Sequence, residues 1–245
     1  MASTSDQTPS ATANFGGSGG LSATVSIWQP IALQHLWTAL HMARLCHERE
    51  SELLQLGARS PDTEHQALAM TAVISAVSLV ETYINEVYAV AADDNKVLRQ
   101  QIDGIDNHAA DLLGLVWNGT DMAAEKWSIL DKFQFGLAVA GKPKMDSGVN
   151  PSQNMKRLIK LRNALVHFKP EWQVHDVAHK VEKDLKGIFA DNQLYSGAPW
   201  FPAVCLAAGC AKWACDTSSA FVDAWSREMG IYVRHRNLLN ALVPP

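Results

Sequence analysis

Positive charge is scarce in this sequence. Its 245 residues contain 21 Lys and Arg against 25 Asp and Glu, which gives a net charge of −4 at pH 7. A protein that attracts nucleic acid through its overall field needs a basic excess. This composition excludes such a protein, so any contact with RNA or DNA has to come from a local site.

Cysteine is also sparse, and its spacing does not suit a metal. Cys46 stands alone, whereas Cys205, Cys210 and Cys215 follow one another every five residues on one predicted helix. Steps of five rotate the side chains around a helix, so the three thiols do not converge as zinc ligands do. We interpret all four as small buried residues of a protein in a reducing compartment.

The sequence lacks a secretory signal and a long hydrophobic run. The first ten residues contain no Lys or Arg, and no apolar signal region follows them. The most apolar run, ALAMTAVISAVSLV at residues 67–80, ends at Glu81. It is shorter than the roughly 18–20 residues that a transmembrane helix needs. We therefore expect a cytoplasmic protein without a membrane partner.

Strand patterns and internal repeats are absent as well, and so are the Gly-rich phosphate loop, the Walker motif and the GxSxG motif. Apolar residues recur instead at spacings of three and four, the period of an α-helix. The predicted helices cover about residues 27–56, 62–99, 105–117, 120–140, 153–168, 174–189 and 202–228. The sequence thus predicts an all-α fold, a multi-helix bundle.

The predicted domain organisation is simple. Residues 1–25 are rich in Ser, Thr, Ala and Gly and include GGSGG. Such a segment buries too little apolar surface to offset its ordering entropy, so we predict a disordered tail. Residues 26–245 are predicted to form a single helical domain, whose first helix has Pro30 in its opening turn.

The helix predicted at 153–168 has an unusual distribution of polar residues within the segment LIKLRNALVHFKPEW, residues 158–172. At 100° per residue its core face comprises Leu158, Leu161, Leu165 and Phe168. Asn163 and His167 are four residues apart and share roughly the opposite side, and Arg162 lies between the two faces. Apolar residues flank the polar pair, so we expect this second side to be covered too, by another helix or by a partner chain.

These residue types suit phosphodiester chemistry. A histidine acts as general acid or base near neutral pH, and an arginine stabilises charge developing on a phosphate. Together they can promote attack of a ribose 2′-OH on the adjacent phosphodiester without a metal. The spacing by itself favours the other interpretation, a helix end with a hydrogen-bonded His167 and a solvated Arg162. A second match, Arg59 to His65, illustrates how readily it arises by chance.

The stretch LRNALVHFKPE resembles the signature helix of the HEPN superfamily, whose motif is R-N-x-x-x-H. Arg162, Asn163 and His167 match that motif position by position. The preceding SLVETYINEVY at 78–88 resembles the companion helix of HEPN-like proteins, in which an acidic residue and an asparagine face the motif helix. Glu81 and Asn85 occupy those positions. The resemblance covers about 67–185, and the terminal helices would be additions to a HEPN-like core.

This resemblance implies a function. Many HEPN proteins are metal-independent ribonucleases of toxin–antitoxin and other defence systems, and they commonly dimerise through their motif helices. It implies Arg162, Asn163 and His167 as catalytic residues, Glu81 and Asn85 as supporting residues, and no metal or cofactor. The expected partners are RNA, a second copy bound through the motif helix, and an antitoxin or regulatory protein. Other members are inactive modules that bind a partner protein or nucleotide, which is the alternative.

Two further features leave alternatives open. A buried Glu81 needs a partner, so we predict that it pairs with Arg162, unless it lies on an exposed stripe beside Glu86. His175 and His179, followed by Glu182, have a spacing that can hold a metal. No HExxH motif supports them, so a solvated amphipathic helix is preferred over a metal-dependent hydrolase.

Overall fold

The computed structural model describes residues 27–119, 124–169, 178–197 and 199–232. These residues contain α-helices and no strand, so the predicted all-α fold is confirmed. The helices are α1 (Ala32–Gln55), α2 (Thr63–Ala92), α3 (Lys96–Arg99), α4 (Asn107–Asn118), α5 (Ile129–Val139), α6 (Ser152–Val166), α7 (Lys180–Leu185) and α8 (Ala208–Met229). Short turns of other helix types lie at Gln100–Ile102, Ala124–Lys126 and Trp200–Val204.

The chain divides into two contact units, residues 1–31 and residues 32–245. The predicted disordered tail 1–25 lies outside the described residues, and the single domain over 26–245 stays a prediction. Residues 27–31 are not helical, so the predicted start of the first helix at residue 27 is wrong. Helix α1 begins at Ala32, whose backbone N–H donates to Glu86 Oε1 at 2.9 Å. That carboxylate satisfies an orphan donor and complements the helix dipole.

Helix α2 is the central helix of the second unit. It packs against α1, α4 and α8 through its buried residues, and it also contacts α5 and α6. The predicted helix over 62–99 is broken: α2 ends at Ala92, and α3 starts after Asn95. The reason is local, because Asp93 Oδ1 accepts from Asn95 N and Asn95 Oδ1 accepts from Val97 N. Asp and Asn side chains that bind nearby backbone in this way compete with the helix.

The membrane argument made from the length of residues 67–80 does not hold, because α2 has 30 residues and is long and apolar enough to cross a bilayer. Among the described helices it alone meets that criterion. The buried core helix of a soluble protein has the same length and composition, and half of the apolar window is buried here. The chain is therefore not clearly a membrane protein.

The remaining boundaries differ modestly from those predicted. Residues 120–123 and 170–177 lie outside the described part, and α5 and α7 are shorter than the helices predicted there. Helix α7 ends at Leu185. Gly187, two residues further on, has a φ of +83°, a left-handed conformation that is common just after a helix end. Helix α8 starts at Ala208, so Cys205 precedes it instead of sharing it with the other two cysteines. All four cysteines are free and buried, as predicted.

Asp62 fixes the start of α2 and is the subject of a stability prediction. Its Oδ1 accepts from His65 N at 2.8 Å, and Arg49 donates to both of its carboxylate oxygens. The hydrogen bond from Arg49, with that from His65 N, holds the pKa of Asp62 below its usual value of 3.8. We expect Asp62→Ala to lower the free energy of unfolding by about 1–2 kcal/mol in urea titrations.

This contribution depends on pH. A carboxylate whose pKa is depressed by folding stabilises the protein above its unfolded pKa and loses that effect as pH falls through the folded pKa. The difference between wild type and Asp62→Ala should therefore be present at neutral pH and shrink below pH 3.8. Asp216→Ala, which removes an exposed pair with Lys212, is the control and should cost about 0.5 kcal/mol at most. Equal effects of the two substitutions would contradict the capping role.

Candidate active site

Helix α6 is anchored by three completely buried side chains, Met155, Leu158 and Leu161. They recur at three-residue intervals and dock one face of the helix on the core. The last α-helical residue is Val166, and His167 N donates to Asn163 O at 2.9 Å to close the final turn. The helix therefore ends two residues earlier than predicted.

Phe168 does not belong to the core face as predicted. Because the helix has already ended, the side chain leaves the helical register; it is 46% exposed and lies near the ring of Phe201 at 6.2 Å between centroids. Val166 beside it is 50% exposed. The end of α6 thus carries an exposed apolar surface directly next to the predicted catalytic residues.

The ion pair predicted between Arg162 and Glu81 is present. Arg162 Nη2 lies 3.4 Å from Glu81 Oε2, with the two side chains 24% and 42% exposed. Glu81 is therefore not buried, and burial is not what demands its partner. Arg162 Nε is buried and has no hydrogen-bond partner among the residues that the structure describes. The guanidinium is held at one edge and retains a donor without an acceptor.

Glu81 belongs to a face of α2 that the core does not cover. Four half-buried residues at helical spacing, which we name the α2 polar stripe, form this face: Ser78, Glu81, Thr82 and Asn85. Helix α6 reaches the stripe through Arg162, and α5 reaches it through Lys132, whose Nζ donates to Asn85 Oδ1 at 2.7 Å. Asn85 therefore pairs with α5, and no contact of its side chain with α6 is found among the described residues.

Lys132 is a member of this site that the sequence did not reveal. It is completely buried, and its carbonyl accepts from the Tyr88 hydroxyl at 2.9 Å. A fully buried lysine is uncommon and needs partners. The signal available in the sequence was its position between Leu130 and Phe133, inside the apolar segment ILDKFQFGLA. That signal names no partner, because Asn85 lies 47 residues earlier.

Asn163 and His167 are exposed. Within the described part of the chain, neither side chain has a hydrogen-bond partner. The hydrogen-bonded His167 that a purely structural helix end would have is therefore not observed there. Five residues separate Arg162 from His167, which is about 140° around a helix axis. Accordingly no contact joins the two side chains among the described residues. One copy of α6 presents arginine and histidine in different directions.

The described residues do not form a set of metal ligands around His179. His175 lies outside the described residues, and His179 Nδ1 accepts from Val181 N at 3.1 Å. The His179 ring also stacks on Phe201, with centroids 4.8 Å apart. Within the described part of the chain, no group of three or more His, Cys, Asp or Glu side chains is arranged to hold a metal.

A second polar cluster, also missed from the sequence, is buried away from the stripe. Glu50 Oε2 lies 2.7 Å from His65 Nε2 and accepts from Ala208 N at 3.0 Å. Both side chains are almost completely buried. Burial raises the pKa of Glu50, but the hydrogen bonds from His65 and Ala208 N outweigh it and leave the pKa below its usual value. The pair joins α1, α2 and the start of α8. The N-cap residue of α8, Ala207, makes no side-chain hydrogen bond, and Glu50 supplies the acceptor at this helix start.

No protein-family model, curated protein or solved structure matches this chain. The HEPN resemblance is therefore carried by the sequence motifs at 158–172 and 78–88 alone. What the site does has to be inferred from the contacts of its side chains and from the chemistry that they offer.

Proposed function

We propose that this chain is a metal-independent endoribonuclease of HEPN type, a toxin-like or defence effector of the cytoplasm. One observation carries the proposal: Glu81 contacts one edge of the Arg162 guanidinium at the α2 polar stripe, and the described residues supply no acceptor for its other N–H donors, while Asn163 and His167 are exposed at the end of the same helix. A phosphodiester is the anionic acceptor that suits such an arginine.

Arg162 has the role of phosphate ligand. A guanidinium carries five N–H donors in a rigid plane, and Glu81 contacts only one edge of it, at 3.4 Å. The other N–H donors belong to a side chain that is 24% exposed, so a phosphate oxygen can reach the open part of the guanidinium. As negative charge accumulates on the phosphorus oxygens in the transition state, a fixed cation stabilises it more than it stabilises the ground state.

His167 has the role of general acid and base, and Asn163 positions the phosphate. The 2′-oxygen forms a bond to phosphorus, and the bond from phosphorus to the 5′-oxygen breaks. A base takes the proton from the 2′-OH and an acid gives one to the departing 5′-oxygen. The products are a 2′,3′-cyclic phosphate and a 5′-hydroxyl, and no metal or cofactor enters the balance.

A second copy of the chain completes the site in this proposal. Arg162 and His167 diverge by about 140° on one helix, so a partner helix is needed to bring a histidine to the arginine. The exposed Val166 and Phe168 offer apolar surface for that contact. An antitoxin or regulatory protein that covers this end of α6 would block the site.

The test is cleavage of labelled RNA in EDTA by wild type and Arg162→Ala. We expect wild type to cleave and Arg162→Ala to be slower by about 10²–10³-fold, the usual effect of removing a donor to developing charge. Arg157→Ala is the matched control, because Arg157 lies on the same helix and, among the described residues, donates to Gln153 and Asn154 of that helix. It should cleave like wild type.

A negative cleavage result would decide between the two proposed functions. If folded wild-type protein leaves RNA intact in EDTA, the ribonuclease assignment is wrong. The alternative is then an inactive HEPN-like module that binds a partner protein or nucleotide. A loss in Arg157→Ala as large as that in Arg162→Ala would contradict the specific role of Arg162.

A further inference from the structure

Lys132 is completely buried, and its Nζ donates to the oxygen of the Asn85 amide on α2 at 2.7 Å. The position of Lys132 is fixed independently, because the Tyr88 hydroxyl donates to its carbonyl at 2.9 Å. Asn85 and Tyr88 are three residues apart and therefore neighbours on α2. Two hydrogen bonds thus fasten α5 to α2 at this point, and one of them ends on the α2 polar stripe.

This contact sets which way the Asn85 amide points. A lysine ammonium group donates hydrogen bonds and cannot accept them, so the amide atom facing it is Oδ1. The amide is planar, and Nδ2 with its two N–H donors is consequently directed away from Lys132. Asn85 is half-buried, so these donors are not sealed in the core. Among the described residues they have no acceptor.

Asn85 lies one helical turn from Glu81, the residue that contacts Arg162. Asn85 is four residues beyond Glu81, which corresponds to about 6 Å along the same face of α2. Glu81 in turn contacts Nη2 of Arg162, and no acceptor for the other N–H donors of this guanidinium is found among the described residues. Two neighbouring groups with donors and no acceptors suit a ligand that only accepts. The non-bridging oxygens of a phosphodiester are such a ligand.

We propose that Asn85 binds a phosphate oxygen of the RNA substrate through its Nδ2–H donors, and that Lys132 is the positioning residue that aims them. This inference rests on the proposed ribonuclease and extends its substrate contacts from α6 onto α2. Lys132 itself, being buried, does not touch the substrate. The neutral amide adds phosphate affinity without a charge that would pair with Glu81.

The variant Asn85→Asp distinguishes the role of the Asn85 N–H donors from that of the side-chain oxygen that faces Lys132. The aspartate keeps an oxygen for Lys132 and so preserves the fold, but it has no N–H donors. It also adds a negative charge, and Ser78→Asp adds the same charge to the same stripe without removing an amide. The probe is a fluorescent RNA with 2′-O-methyl groups, which binds but has no 2′-OH to attack. Binding is followed by fluorescence anisotropy in EDTA, and folding by thermal unfolding.

We expect Asn85→Asp to weaken binding about tenfold or more, as for hydrogen bonds to a charged group, and Ser78→Asp to weaken it clearly less. Wild-type affinity in Asn85→Asp, or equal losses in the two variants, overturns the inference. Lys132→Met should weaken binding in the same direction, because the amide is then free to turn.

A second readout keeps the inference testable if a variant unfolds. The side-chain NH₂ signals of Asn85 in the wild-type NMR spectrum should shift when the probe is added, and static signals overturn the inference. The two failures are distinguishable. RNA that binds through Asn85 but stays intact counts against the ribonuclease alone, whereas cleavage at the wild-type rate by Asn85→Asp counts against this inference alone.

Discussion

Replacing His167 with alanine is expected to slow RNA cleavage by about 10²–10⁴-fold, the range for loss of a positioned general acid or base. The same change should leave the free energy of unfolding within about 0.5 kcal/mol of wild type, because the side chain is exposed. Its backbone N–H, which closes the last turn of α6, is retained. Single-turnover cleavage rates in EDTA and urea titrations measure the two effects.

The control for His167 is His108→Ala, which removes another exposed histidine from α4. It should alter neither cleavage nor stability. An active His167→Ala protein would remove the general acid and base from the account. A His167→Ala protein that is inactive because it has unfolded would show that the residue is structural, contrary to its exposure.

Loss of the Glu50 carboxylate should have the largest effect on stability. Glu50→Ala leaves His65 buried without its partner and leaves Ala208 N without an acceptor at the start of α8. Removing one member of a buried pair typically costs about 3–5 kcal/mol. We expect a loss of that size in urea unfolding. Glu48→Ala, which removes an exposed carboxylate from the same helix, should cost about 0.5 kcal/mol at most.

The pH dependence of this effect has a defined sign. The pKa of Glu50 is lowered in the folded protein, so its stabilisation is present above the usual value of 4.5 and is lost as pH falls through the folded pKa. The stability of Glu50→Ala should therefore fall less steeply with acid than that of wild type. Parallel stability curves for the two proteins below pH 4.5 would contradict the pair's role.

Replacing both partners tests whether the pair is specific. In Glu50→Leu with His65→Leu, no buried charge is left unpaired, and apolar groups of similar volume fill the site. Such double replacements are often nearly neutral. We expect the double variant to be more stable than Glu50→Ala. A double variant that is as unstable as the sum of the single ones would indicate independent contributions.

The features that could be predicted from the sequence are those that follow from the local spacing of apolar residues. Apolar spacing predicted the all-α fold and the core face of α6 at Leu158 and Leu161. It could not predict the break after Ala92, where Asp93 and Asn95 bind backbone groups in competition with the helix. Asp93 and Asn95 have low helix propensity and favour helix caps, so the break follows from residue types that the apolar period does not register.

The contacts between distant residues were largely beyond the sequence. The pairing of Arg162 with Glu81 was predicted, but from a burial of Glu81 that the structure does not show. Two contacts between helices illustrate this. Lys132 and Asn85 are 47 residues apart in the chain, and Glu50 and Ala208 are 158 residues apart. A single sequence contains no period that relates such positions, since the pairing follows from how the helices pack.

The most direct test of the proposed function compares two RNA oligonucleotides in EDTA. They share one sequence, and one of them has a single 2′-deoxynucleotide at the position that wild-type protein cleaves. Our account predicts cleavage of the all-ribose strand alone at that position, with a 2′,3′-cyclic phosphate and a 5′-hydroxyl identified by mass spectrometry. Cleavage of the deoxy-substituted strand there, or ends with a 5′-phosphate, would contradict it.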